Sequence, residues 1–95
     1  MITLTASNNA SVQIENSDGG QYFLDVNGTI DAGGNVKAAV SFDGTNFSNL
    51  TTAVGVDLTI TGNYNAAITL PSNCTVKFTA TSIGSTGVKI YLVKV

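Results

Sequence analysis

The chain has no histidine, no arginine and no tryptophan, one cysteine, one proline and few charges of either sign. Each shortage removes a class of function. Without histidine, the commonest metal ligand and the usual general base are missing. Nothing is then at hand to activate the lone thiol of Cys74, which is expected to be a buried or half-buried side chain. A single cysteine also rules out an intrachain disulfide. Four lysines, no arginine and a net charge of −2 leave no basic stripe for nucleic acid. Charged residues are 11 %, against about 25 % in a typical soluble domain. No apolar run is long enough for a membrane-spanning helix, so no membrane partner is expected. The first residues, M-I-T-L-T-A-S-N-N, lack the basic and long apolar regions of a secretory signal, and the chain reads as a complete small gene product. The Asn-x-Ser/Thr triplets at Asn9, Asn27, Asn46, Asn49 and Asn73 then read as a by-product of composition.

Catalytic constellations are lacking too. Asp25 and Asp57 face outward on strands with nothing to pair them as acid and base. Asp18, Asp31 and Asp43 sit beside or near glycines with turn spacing, not calcium-loop spacing. Gly19-Gly20 and Gly33-Gly34 lack the helix and lysine of a phosphate loop. The chain is therefore expected to be a non-enzyme with no metal and no cofactor.

What is present is threonine, serine and asparagine on the surface and alternation inside. Hydrophobic residues are 43 % of the 95, enough for one domain with a modest core. A neutral polar surface desolvates more cheaply than a charged one and suits protein contact.

The stretch Val40–Leu50, V-S-F-D-G-T-N-F-S-N-L, organises the reading. Asp43-Gly44 between apolar residues is a hairpin signal, because the turn needs positive φ. Phe42 and Phe47 flank the turn and are expected to cover its base. Strict alternation marks Ile2–Ala6, Val12–Ile14, Tyr22–Val26, Val36–Phe42, Val54–Ile60, Ala66–Leu70, Val76–Ala80 and Val88–Val95 as strands. A short strand is expected around Phe47. Asn16–Gly20, Asn27-Gly28, Asp31–Asn35, Gly62–Asn65, Pro71–Asn73 and Ser82–Gly87 read as turns or loops between them.

No window has a helical period. Eight or nine short strands at about 8–12-residue spacing predict an all-β fold, an antiparallel β-sandwich of jelly-roll or immunoglobulin-like type. Residues 1–10 read as an N-terminal arm or edge strand, and residues 11–95 as a single sandwich domain. The arm, with Ile2 and Leu4, is suited to docking as an added strand on a partner. Phe23, Tyr64 and Tyr91 are read as exposed, from phase or turn position. With Ile2, Leu4 and Phe47 they make up the candidate contact residues. Aromatics on one sheet face can also stack on sugar rings, so a carbohydrate-binding, adhesive module is a second reading.

Four segments together carry a family resemblance: S-F-D-G-T-N-F at Ser41–Phe47, A-A-I-T-L-P at Ala66–Pro71, V-K-F-T-A-T at Val76–Thr81 and V-K-I-Y-L-V at Val88–Val93. The chain resembles small β-sandwich proteins of tailed-bacteriophage virions. Phe47 stands where tryptophan is common in them, and Lys77 where arginine is common. Among such proteins a chain this short most resembles a capsid decoration, or cement, protein. The resemblance implies binding to the major capsid protein on the outer capsid surface of the virion, after synthesis in the host cytoplasm. It also implies a homo-oligomer, with a trimer favoured. A tail, baseplate or fibre-associated structural protein is the alternative within the same resemblance.

Overall fold

Two strands are far longer than the alternation alone suggests, and they set the architecture. The computed structural model describes residues 2–15, 17–53 and 56–95; Asn16 and Val54, read above in a turn and a strand, lie outside the described residues. Nine strands follow in order: β1 (Ile2–Ala6), β2 (Ala10–Ile14), β3 (Asp18–Ser41), β4 (Ser48–Asn49), β5 (Thr51–Ala53), β6 (Val56–Asp57), β7 (Thr59–Ile60), β8 (Tyr64–Ser72) and β9 (Thr75–Lys94). All pairings are antiparallel, and no helix occurs among the described residues. Among the described residues β5 and β6 pair only with each other, and the other seven strands form one sheet.

β3 and β9 are the paired spine of that sheet. Their first and last halves are in one register, from Tyr22↔Lys94 to Gly28↔Val88 and again from Asn35↔Thr81 to Ser41↔Thr75. Between these halves the ladder shifts twice, around the pair Ile30↔Ile83. The step from Gly28 to Asn35 equals the step from Val88 to Thr81, so one bulge on each strand cancels the other. Paired bulges bend both strands at one line without losing register. Asn27-Gly28, Asp31–Asn35 and Ser82–Gly87, expected as breaks, are thus bends inside continuous strands. Glycine and serine signal either outcome; the equal length of the partner strand decides for the bend.

The outer rows turn at the same line by a different device. β1 pairs with the last half of β9 and β2 with its first half, joined by the turn at Asn8-Asn9. β8 pairs with the first half of β3, and β7 with its last half, joined across Gly62-Asn63. Backbone amides freed at the bulges are met by these turns. Asn8 Oδ1 accepts from Ile83 N at 2.9 Å, Asn9 Oδ1 from Ser82 N at 3.1 Å, and Asn63 Oδ1 from Gly28 N at 3.2 Å.

The folded sheet makes two layers with one interior. Inward residues of both halves, among them Leu24, Val26, Val36, Phe78, Ile90 and Leu92, form a single cluster. Each such side chain, fully buried, contributes roughly 1.5–3 kcal/mol. The period-2 phase places every one of them on the same face of the sheet. No buried side-chain polar atom among the described residues lacks a partner.

Two expectations near the first hairpin need correction. Phe42, in phase with Val36, Ala38 and Val40, does not turn inward to cover the base of the turn; it is 72 % exposed, and Ser41 is buried in its place. The cause is the loop. Ser41 Oγ donates to Asp43 Oδ1 at 2.9 Å and accepts from Gly44 N at 2.9 Å. Asp43 also accepts from the backbone amides of Thr45 and Asn46, each at 2.8 Å, and from Asn46 Nδ2 at 2.7 Å. The hairpin therefore closes through a longer Asp-centred loop, with Val40↔Ser48 as its last pair, and Phe47 precedes β4. Pro71 does not end its strand either, since β8 runs on to Ser72. Among the described residues β8 pairs only with β3, and proline is tolerated on such an edge.

Candidate functional site

The two outer faces of the molecule differ in chemistry, because each is written by the odd-numbered residues of its own strands. On the layer built from β2, the first half of β9 and the last half of β3, register lines up Ser11, Thr79, Lys37 and Thr59. The next row carries Gln13, Lys77, Ala39 and Asn49. Ser11 Oγ and Thr79 Oγ1 share a hydrogen bond of 3.1 Å. This face is polar and lysine-bearing.

The opposite layer, from β1, the last half of β9, the first half of β3 and β8, is different. One row reads Ala67, Phe23 and Val93 across three strands. The adjacent row reads Asn65, Asp25, Tyr91 and Thr3. Phe23 is 43 % exposed and Val93 44 %, and Tyr91 is half-buried diagonally across from Phe23. Val95 extends the apolar strip past the end of β9 and is held by its amide donating to Gln21 O at 3.0 Å. Lys89 and Asp25 sit within this face, so its charges are sparse and of both signs. A strip of aromatic and aliphatic side chains set on paired strands can exclude water from a partner surface.

The structure brings together some of the sequence-derived contact residues and separates others. Phe23 and Tyr91 share the apolar outer face. Tyr64 does not: it pairs with the buried Val26, packs half-buried against the core and faces inward. Its phase with Ala66, Ile68 and Leu70 carried that information, which a reading from turn position overlooks. Ile2 and Leu4 also point inward, on an edge strand laid against β9. Phe47 is half-buried, with Lys77 Nζ 4.0 Å from its ring centroid, on the polar side. Val93 and Ala67 were legible from phase but were not singled out.

Cys74 and Asp43 do structural work. The Cys74 thiol is buried, donates to Pro71 O at 3.2 Å, and has its pKa raised by burial. Asp43 is held well below the usual carboxylate range, first by the backbone amides of Asn46 and Thr45 and then by the side chains of Asn46 and Ser41. No group of three or more metal-ligating side chains converges among the described residues. No protein-family model, curated protein or solved structure matches this chain.

Proposed function

We propose that this chain is a structural protein of a bacteriophage virion, a capsid decoration protein that adheres to the assembled shell through the Ala67–Phe23–Val93 face. The observation that carries the reading is one row of that face: Ala67, Phe23 and Val93 form an exposed apolar strip across three strands, where the matching rows of the other layer carry Lys37 and Lys77. The family resemblance of Ser41–Phe47, Ala66–Pro71, Val76–Thr81 and Val88–Val93 supplies the setting and the major capsid protein as partner. Low charge supports the same reading, because little ionic desolvation opposes contact. Reinforcement comes from bridging neighbouring subunits of the shell. In a trimer, each weak contact is multiplied by the effective concentration of the other two. A threefold ring closes through a heterologous interface. The domain has no part in catalysis in this reading.

A sugar-stacking role would call for Phe23, Tyr64 and Tyr91 on one accessible face, and Tyr64 faces inward. The test is thermal melting of purified shells with and without the protein. Added protein is expected to raise the shell's melting temperature. Phe23→Ser combined with Val93→Ser is expected to weaken binding about thirtyfold, the effect of losing an anchor of about 2 kcal/mol. Equal melting temperatures with and without the wild-type chain would refute the reading. Light scattering behind size exclusion tests the trimer, and a monomer at micromolar concentration would exclude it.

A further inference from the structure

The folded sheet has an unclosed side, and its geometry specifies what fits there. β8 hydrogen-bonds to β3 along one edge, and among the described residues no strand pairs with its other edge. Along that free edge runs a groove of about 400 Å³. Its floor is Leu50 and Leu58 from the opposite layer, and its wall is the inward row Tyr64, Ala66 and Ile68 of β8. Ala67 and Thr69, on the outer face of β8, line it as well, so the groove follows the strand edge itself.

Length sets this edge apart from the others, and the absence of charge, which β1 and β2 share, together with the placing of its proline leaves it open. At nine residues, β8 is the longest strand on the sheet's margin, against five for β1 and for β2. Exposed edges are usually blunted by lysine or by inward charges, and Tyr64–Ser72 carries no charged residue. The one strand-breaking residue, Pro71, sits at its far end and leaves Tyr64–Leu70 open. The smaller groove by Ile2 and Ile14, about 200 Å³, has Glu15 and Asp18 on its lining, which disfavours an apolar occupant.

We infer that the free edge of β8 accepts an extended, uncharged peptide segment of a partner protein, apolar at alternate positions, as an added strand. Main-chain groups of the incoming segment pair with Tyr64–Leu70. Its inward side chains then enter the groove over Leu50 and Leu58, and its outward ones continue the row of Ala67. A second folded copy satisfies only half of this. Its own β8 offers an edge, but its Tyr64 and Ile68 are packed against its own core. A segment free to bury alternate side chains meets both the backbone edge and the groove. This second surface shares Ala67 with the Phe23–Val93 face but uses the backbone edge and the groove beneath it, and it does not depend on the virion reading.

The test uses the full chain and a mixture of blocked heptapeptides, threonine at odd positions and valine, leucine or isoleucine at even ones. Amide hydrogen exchange and methyl shifts are read by NMR. Slowed exchange within Tyr64–Leu70, with shifted Leu50 and Leu58 methyls, is expected. Ala66→Lys, which sets an inward charge at the edge, is expected to weaken binding at least tenfold while the melting temperature stays near wild type. If Ala66→Lys does not fold, Thr69→Lys is the substitute, because Thr69 is exposed and at the same edge. Phe23→Ser is expected to leave peptide binding intact, which separates this inference from the shell-binding one. No protection in β8 with any peptide would overturn it. So would equal binding by the lysine variants, or peptide-free dimers that protect the same amides.

Discussion

Adjacent glycines at the fold line give the sharpest test of the double bulge. Gly33 has φ +81° and nothing within 4 Å of where a Cβ would stand. Gly34 lies outside the left-handed region, yet a Cβ there would overlap the Ser82 carbonyl oxygen and lie 2.7 Å from that of Thr81. Gly33→Ala therefore costs only the handedness of the backbone, about 1–2 kcal/mol. The lower entropy of the unfolded chain offsets about 0.4–1 kcal/mol of it. A net loss of about 1 kcal/mol remains. Gly34→Ala meets main-chain atoms that no rotamer change can move, so β3 and β9 must separate. Overpacking of this kind costs about 1–3 kcal/mol. Loosening the neighbouring pairs Asn35↔Thr81 and Val36↔Ala80 adds about 1 kcal/mol per weakened hydrogen bond. With the same entropic offset, the net is about 2–4 kcal/mol. A chain of this size loses about 5 °C of melting temperature per kcal/mol. The expected drops are then about 5 °C for Gly33→Ala and about 10–20 °C for Gly34→Ala. Urea titrations followed by far-ultraviolet circular dichroism should shift their midpoints in the same order at unchanged slope. Asparagine, which tolerates positive φ, should be nearly neutral at 33 and as harmful as alanine at 34. Equal losses at the two positions, or the reverse order, would refute the bulge geometry.

Other predictions follow from single contacts. A double-mutant cycle of Phe47→Leu with Lys77→Met should give a coupling of about 0.5–1 kcal/mol, since the ammonium sits over the ring at a partly exposed site. Asp43 has a depressed pKa, so its contribution is fully present above the ordinary carboxylate value and is lost only as pH falls well below it. Amide shifts of Thr45 and Asn46 should accordingly hold steady through pH 4 in wild type, and Asp43→Asn should disorder both amides at neutral pH. Cys74 should resist a thiol reagent at pH 8 in the folded protein and react fully in urea, because it is buried and its thiolate is disfavoured.

Much of the strand content was written in the order of residues. The phase of Tyr22–Val26, Val76–Ala80 and Val88–Leu92 places their apolar side chains inward without knowledge of any partner. The exposure of Phe23 came from the same phase. Local signals failed where they have two meanings. Glycine at positions 28, 33, 34 and 87 serves turns and bulges alike, and the difference lies in a partner strand more than forty positions away. Phe42 is in phase with Val36, Ala38 and Val40, but the Asp43 carboxylate collects four hydrogen bonds and pulls Ser41 into the buried place. Phase alone cannot register that competition.

The order of residues was enough for an all-β chain, its inward and outward residues along most strands, and a surface poor in charge, because alternation is a property of neighbours. Only the tertiary structure decided that two layers are one sheet folded along a line of bulges. It alone set Phe23 beside Val93 and Ala67, and it alone left the margin of β8 without a strand partner among the described residues. Those facts depend on register between distant segments, and register is settled when every inward row must share one core.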